Sequence, residues 1–343
     1  MVRYEIKKLI PLKLCLIILL LLLLQSLSVY IRPLKDREYS ETLYRQFCEH
    51  YEGIYDKSIQ ELLLSRKIWI DDVIAKHDET QSEYHLGRIT LKEFSAYMDI
   101  YTEAMAQSST VNYLLKKCEY YDSLNRPAEF FCDTQWLDMY ENDGFDYLLV
   151  FAVMILCVPA FTSEYAAGSR TVLMTTPGGR EKTAAAKLII CTLTSFFLTM
   201  LFRTARLVPV MNAGAMKYAG KPAYDLLNYP FGTDISLIGA YESFSVMKAL
   251  EASCMASFIC LLSVLVQNRT FVYFLSAVLL YAPAMMMDYL PDAAYVSSSY
   301  AKALAVTPYI SLIRVNISCM IRIGVYVSIC IAVWRARYVR REI

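Results

Sequence analysis

Histidine is nearly missing from this chain: three occur in 343 residues, at His50, His77 and His85, and none follows. The later apolar runs therefore carry no imidazole relay, and neither HExxH nor GxSxG is present. A phosphate-binding loop is missing as well. Its GxxxxGK[ST] pattern lets backbone N–H groups wrap phosphates, and the nearest approach runs from Gly214 to Pro222. That stretch has five residues between its glycines and a proline where the hydroxyl should stand. Proline supplies neither an N–H nor a magnesium ligand, so the chain is not expected to bind ATP itself. No catalytic residue is assigned and no cofactor is expected.

Net charge is also scarce, at +1. The balance hides an asymmetry, because residues 32–144 hold 13 Lys/Arg against 22 Asp/Glu. Charge sorted this way along an apolar chain reports topology and gives no sign of a nucleic-acid partner. The ten cysteines form no CxxC and no metal-like spacing with histidine, so no metal site is expected. Seven of them (Cys15, Cys157, Cys191, Cys254, Cys260, Cys319 and Cys330) lie in apolar runs and read as small buried hydrophobes.

Apolar residues are what the chain has in excess. They make up 56% of it, with a mean hydropathy of +0.34, which favours the membrane class. A spanning helix needs about 20 mostly apolar residues. Six runs qualify or come close: 9–31, 145–161, 188–206, 244–266, 271–290 and 315–334. The third ends in Arg203 and Arg206, whose long side chains are expected to snorkel to an interface. The first run has the basic start of a signal peptide but no A-x-A site, so it is expected to remain as a span.

Lys and Arg near the span ends fix the orientation. Arg3, Lys7, Lys8 and Lys13 precede the first span, and Arg170, Arg180, Lys182 and Lys187 lie between the second and third. Arg269 occupies the fourth-to-fifth turn, and Arg335, Arg337, Arg340 and Arg341 close the chain. With six spans all four groups fall on one side. The expectation is a multi-pass protein of the cell membrane, in contact with lipid, with both termini cytoplasmic. Its parts are a cytoplasmic start and first span (1–31), an extracytoplasmic domain (32–144) and a five-helix membrane domain (145–343).

The acidic domain reads as helical, with apolar residues three and four apart at Leu62, Ile68 and Val73 and again at Phe94, Tyr97, Ile100 and Tyr101. Thr90-Leu91-Lys92-Glu93, after a turn at Gly87, predicts a capping box that starts a helix toward Met105. Its many tyrosines are expected in the core of a small bundle. If the domain lies outside the cell, Cys118–Cys132 closes the shortest loop among its three cysteines and is the expected disulfide, leaving Cys48 unpaired. The fold class is therefore all-α.

Charges within the spans form a second set of candidates. Lys248 and Glu251 are three apart in the fourth span, close enough to neutralise each other on one face. Arg322, well inside the last span, calls for a carboxylate such as Glu251 or Asp288, or a water-filled cavity.

The segment between the second and third spans, residues 162–187, interrupts two apolar runs with charge, glycine and a proline. Residues 165–175 have the makings of a short helix that Thr176-Pro177-Gly178-Gly179 stops, with Arg180 opening the next. A positive-inside turn accounts for the basic residues but leaves the glutamate, the two glycines and the proline unexplained. Glu164, Gly168, Leu173, Thr175, Pro177, Gly179, Arg180 and Lys187, in that order, resemble the cytoplasmic segment of the permease subunits of type 2 ABC (ABC-2) transporters. The third-to-fourth connection, with NYPFG and DISLIGAYES, is similar too. The resemblance covers the membrane half well and 32–144 by position alone.

What the resemblance implies is a non-catalytic permease subunit of an ATP-driven exporter. Its partners would be a separate cytoplasmic ABC ATPase, which binds the ATP, and a second permease copy or a homologous permease. Glu164, Gly168, Arg170, Pro177, Gly179 and Arg180 would couple the ATPase to the spans, moving as a rigid body. A reading of another class is a non-transporting sensor or immunity protein whose external domain binds a ligand.

Overall fold

The computed structural model describes residues 9, 11–31, 37–124, 126–141, 146–166, 179–227, 234–266, 268–285, 317 and 320–333. The chain is mostly helical. An apolar helix α1 (Leu12–Ile31) leads into a polar module built from α2 (Glu41–His50), α3 (Lys57–Ala75), α4 (His77–His85), α5 (Leu91–Ser123) and α6 (Thr134–Glu141). Its one sheet among the described residues is a two-residue antiparallel ribbon, β1 (Gly53–Ile54) against β2 (Glu129–Phe130). An apolar bundle follows: α7 (Tyr147–Cys157), α8 (Pro159–Ala166), α9 (Gly179–Ala205), a short α10 (Val208–Asn212), α11 (Leu237–Leu265), α12 (Arg269–Met285) and α13 (Met320–Val333).

Local chemistry explains these boundaries. The Thr90 hydroxyl accepts the Glu93 N–H at 3.3 Å while Glu93 accepts the Thr90 N–H at 2.8 Å, so both halves of the predicted box are formed. Gly87 supplies the turn before it at φ 70°. The helix then runs to Ser123, well past the expected end. At α11, Ser236 caps by accepting the Gly239 N–H at 3.1 Å. The second span is one apolar rod, Tyr147–Glu164, broken at Val158 because Pro159 brings no N–H to the ladder.

Four helices among the described residues are long and apolar enough to cross a membrane: Leu12–Ile31, Tyr147–Glu164, Lys182–Asn212 and Leu237–Leu265. The expected fifth and sixth spans are shorter helices here, α12 with 17 residues and α13. Residues 286–316, which include the end of the expected fifth span and the start of the sixth, lie outside the described residues. Helix α1 buries only Leu14, Leu21 and Gln25 and leaves Leu12, Leu19, Leu20 and Leu23 bare. A helix apolar on every side belongs in a lipid-like surround.

Two cores result. The bundle core joins α1, α7, α8, α9 and α11, with Phe161, Leu188, Cys191, Phe202, Ile259 and Cys260 all buried. The module core is aromatic, built on Tyr44, Tyr121, Phe130, Phe131 and Trp136, and it extends beyond residue 144. The connection from α9 to α11 docks on it: Trp136 Nε1 donates to the Ala215 carbonyl at 3.0 Å and Tyr140 to that of Leu237 at 2.8 Å. Tyr120 reaches the Tyr224 carbonyl at 2.6 Å, and Lys221 pairs with Glu129. Both long connections thus sit at one end of the bundle. Leu62 and Ile68, two apolar markers of the module, point outward, while Leu63, Ile70 and Val73 face the core.

Candidate functional site

The base of the 162–187 segment is where the bundle concentrates charge. Glu164 ends the second span and Lys187 lies in the third turn of α9, eight residues beyond Gly179, and their side chains form an ion pair with 1% and 0% exposure. The Lys187 ammonium also donates to the Ala160 carbonyl at 2.7 Å and lies 5.2 Å from the Phe161 ring centre. The end of α8 and the third turn of α9 are therefore clasped to each other. Burying such a pair adds little net stability, but removing one partner costs about 3–5 kcal/mol because the other charge is stranded. Its value lies in fixing one geometry.

Gly179 and Arg180 lie in the first turn of α9, as the turn chemistry predicts. Gly168, Arg170 and Pro177 lie outside the described residues. Sequence order flagged both members of the pair, but their direct contact, with 22 residues between them, is not a sequence property.

The other end of the bundle holds a second cluster. Asp146 stands at the start of α7 and pairs with Arg206 at the end of the third span. Gln25 of α1 donates to the same carboxylate at 3.3 Å. Beside them Arg37 holds Asp138 at 2.5 Å, and burial raises the Asp138 pKa even though Arg37 pulls it down. Asp146, Arg206, Gln25 and Asp138 line a cavity of about 580 Å³ of mixed character, whose apolar members include Val29, Met139, Leu148 and Val210. Arg206 therefore does not snorkel outward. Nor does Arg203, which is buried under the Tyr241 ring with its Nε 3.2 Å from the Ser245 hydroxyl. The neighbouring helix supplies aromatic and hydroxyl partners that outcompete an exposed position. Asp146 was not among the expected site residues; the signal was a carboxylate at the start of one apolar run and an arginine at the end of another.

Lys248 and Glu251 are both buried on α11. Arg322 is half-buried on α13.

The module centres on another buried pair. Lys117 and Asp133 meet at 2.9 Å with no exposure on either side. Tyr44 donates to Asp133 at 2.6 Å, and Lys117 reaches both the Tyr44 oxygen at 2.8 Å and the Phe131 carbonyl at 3.3 Å. Burial works most strongly against the Lys117 ammonium, but the Asp133 carboxylate together with Tyr121, Cys48 and Tyr113 offsets it and holds the lysine pKa well above its ordinary value. The tyrosines are thus core, as predicted. The expected Cys118–Cys132 disulfide is not formed; both thiols are free. Cys118, on α5, interacts with the Tyr55 hydroxyl, whereas Cys132, beyond β2, has Cys48 of α2 as its thiol neighbour. Loop length favoured the wrong partner because the ribbon carries Cys132 across to α2.

No family model matches this chain, and no curated protein and no solved structure matches it.

Proposed function

We propose that this protein is the membrane-spanning permease subunit of an ATP-driven transporter of the type 2 ABC class, and that it exports its cargo. The observation that carries the reading is the buried Glu164–Lys187 clasp at the root of the 167–178 segment. A lever that passes on an ATPase's motion must be anchored rigidly in the helices it moves. A buried, hydrogen-bonded pair anchors it better than a solvated turn.

In this reading the module and the α9–α11 connection lie outside the cell and the clasp lies at the cytoplasmic face, with six spans in all. ATP is bound by a separate subunit, and a second permease copy or a homologue completes the pathway. The cavity between Arg206–Asp146 and the apolar walls suits an amphipathic, lipid-like cargo, polar at one end and apolar along its length.

The test is copurification of the full chain from its native membranes. An ABC ATPase is expected to accompany it, and deletion of residues 164–182 is expected to release that partner while the polar module keeps its hydrogen-exchange protection. An ATPase that stays bound and coupled after the deletion contradicts the reading. A chain that carries no ATPase but binds a ligand through the module points to the sensor class instead.

A further inference from the structure

We propose that Cys157, Cys191 and Cys260 form a binding site for one soft monovalent metal ion of the Cu(I) type. The three sulfurs come from α7, α9 and α11, and all lie within 4.8 Å of one another. Each residue is free of disulfide and fully buried. Cysteines that serve only as small apolar filler have no reason to converge from three separate helices. A trigonal site with metal–sulfur bonds of about 2.3 Å needs sulfurs about 4 Å apart. That spacing falls within the observed limit.

The donor set selects the ion. Three thiols with no carboxylate or imidazole among them disfavour hard cations, which require oxygen. Structural zinc takes four ligands, and no further Cys, His, Asp or Glu joins the three among the described residues; the Ser195 hydroxyl lies 3.9 Å from the Cys157 sulfur. A soft d10 monovalent ion accepts two or three sulfurs and favours thiolate over every other side chain. Binding replaces the protons of at least two thiols with the metal and releases them, with no electron transferred. The single positive charge also limits the net charge left in an apolar interior, where an uncompensated thiolate is costly.

The position gives the site a consequence. Cys191 is one turn after Lys187, and Cys157 is seven residues before Glu164, about 10 Å along the rod at 1.5 Å per residue. A bound ion would cross-link the clasped pair of helices to α11 just behind the clasp. The proposal does not depend on the transporter reading.

The test uses the full-length chain purified anaerobically in detergent and titrated with Cu(I) against a chromogenic chelator, with Ag(I) and Zn(II) as comparison arms. About one Cu(I) or Ag(I) per chain should be retained, and Zn(II) should not, following the preference of thiolate sites. X-ray absorption should find sulfur neighbours alone. Cys157→Ala, Cys191→Ala or Cys260→Ala should each weaken binding by more than the roughly 10–100-fold that outer-shell changes produce. Cys254→Ala, elsewhere on α11, should not. A second variant guards against misfolding: a chain whose other seven cysteines are replaced should still bind and gain thermal stability with Cu(I). Wild-type chain that retains no Cu(I), or retention equal in the triad variants, overturns the proposal.

Discussion

The polar module and the apolar bundle each bury one lysine–carboxylate pair, and they use it differently. In the module, Lys117–Asp133 sits at the centre of an aromatic cage, with Tyr44 and the Phe131 carbonyl completing its hydrogen bonds. Every contact is local to one core. In the bundle, Glu164–Lys187 stands where two helices part, anchored to the Ala160 carbonyl. The first pair specifies how a core is packed; the second fixes how two neighbouring helices of the bundle meet. A buried pair is a poor source of net stability and a good source of unique geometry, and each region exploits the second property.

The largest expected effect breaks the module side of this comparison. Lys117→Met strands Asp133 and should cost about 3–5 kcal/mol. Hydrogen exchange over residues 41–141 should rise while the bundle stays protected. Adding Asp133→Leu should recover most of the loss, because two apolar groups replace the pair. An additive second loss would contradict the cage.

Glu164→Leu should cost about 3 kcal/mol at the lower end of the same range, with a different footprint. Exchange should rise in α8 and the first turns of α9 and leave the module untouched. Equal loosening of both regions would show that the clasp is not local.

A smaller, pH-dependent effect tests the seam between the module and the α9–α11 connection. Asp225 is buried there and accepts the Glu129 N–H at 3.0 Å. Burial raises its carboxyl from the ordinary 3.8 to about 7, although the Glu129 N–H favours the charged form. Between those values the folded state holds a proton that the unfolded state has released, so stability falls as pH rises through that window. Protection over residues 215–226, taken relative to the intrinsic exchange rate at each pH, should be greater at low pH and smaller above neutrality, and Asp225→Asn should flatten the dependence. The opposite slope would mean that Asp225 is charged in place.

The smallest effect is at Thr90. Thr90→Ala removes half of the capping box and should cost about 1 kcal/mol, seen as fraying of the first turn of α5.

Features that depend on neighbours in sequence were legible. The capping box, the turn at Gly87 and the apolar runs all follow from short-range chemistry. Features set by distant contacts were not. The periodicity in α3 selected Leu62 and Ile68, one or two positions from the true inward residues Leu63 and Ile70, because a two-sided helix hairpin blurs its apolar stripe. Loop length chose Cys118 for Cys132, whereas β1–β2 pairing decided for Cys48. The convergence of Cys157, Cys191 and Cys260 requires the crossing of three helices, and no spacing within one chain segment encodes it.

For the proposed transporter reading the most direct measurement is a charge swap across the clasp, read as cargo-coupled ATP hydrolysis by the ATPase that this reading expects to copurify. Glu164→Lys and Lys187→Glu singly should abolish coupling, since each places like charges in contact at a buried site. The double variant, which restores an opposite pair, should regain a large part of it. Coupling that survives both single variants, or a double variant no better than either, would contradict the claim that this pair holds the lever.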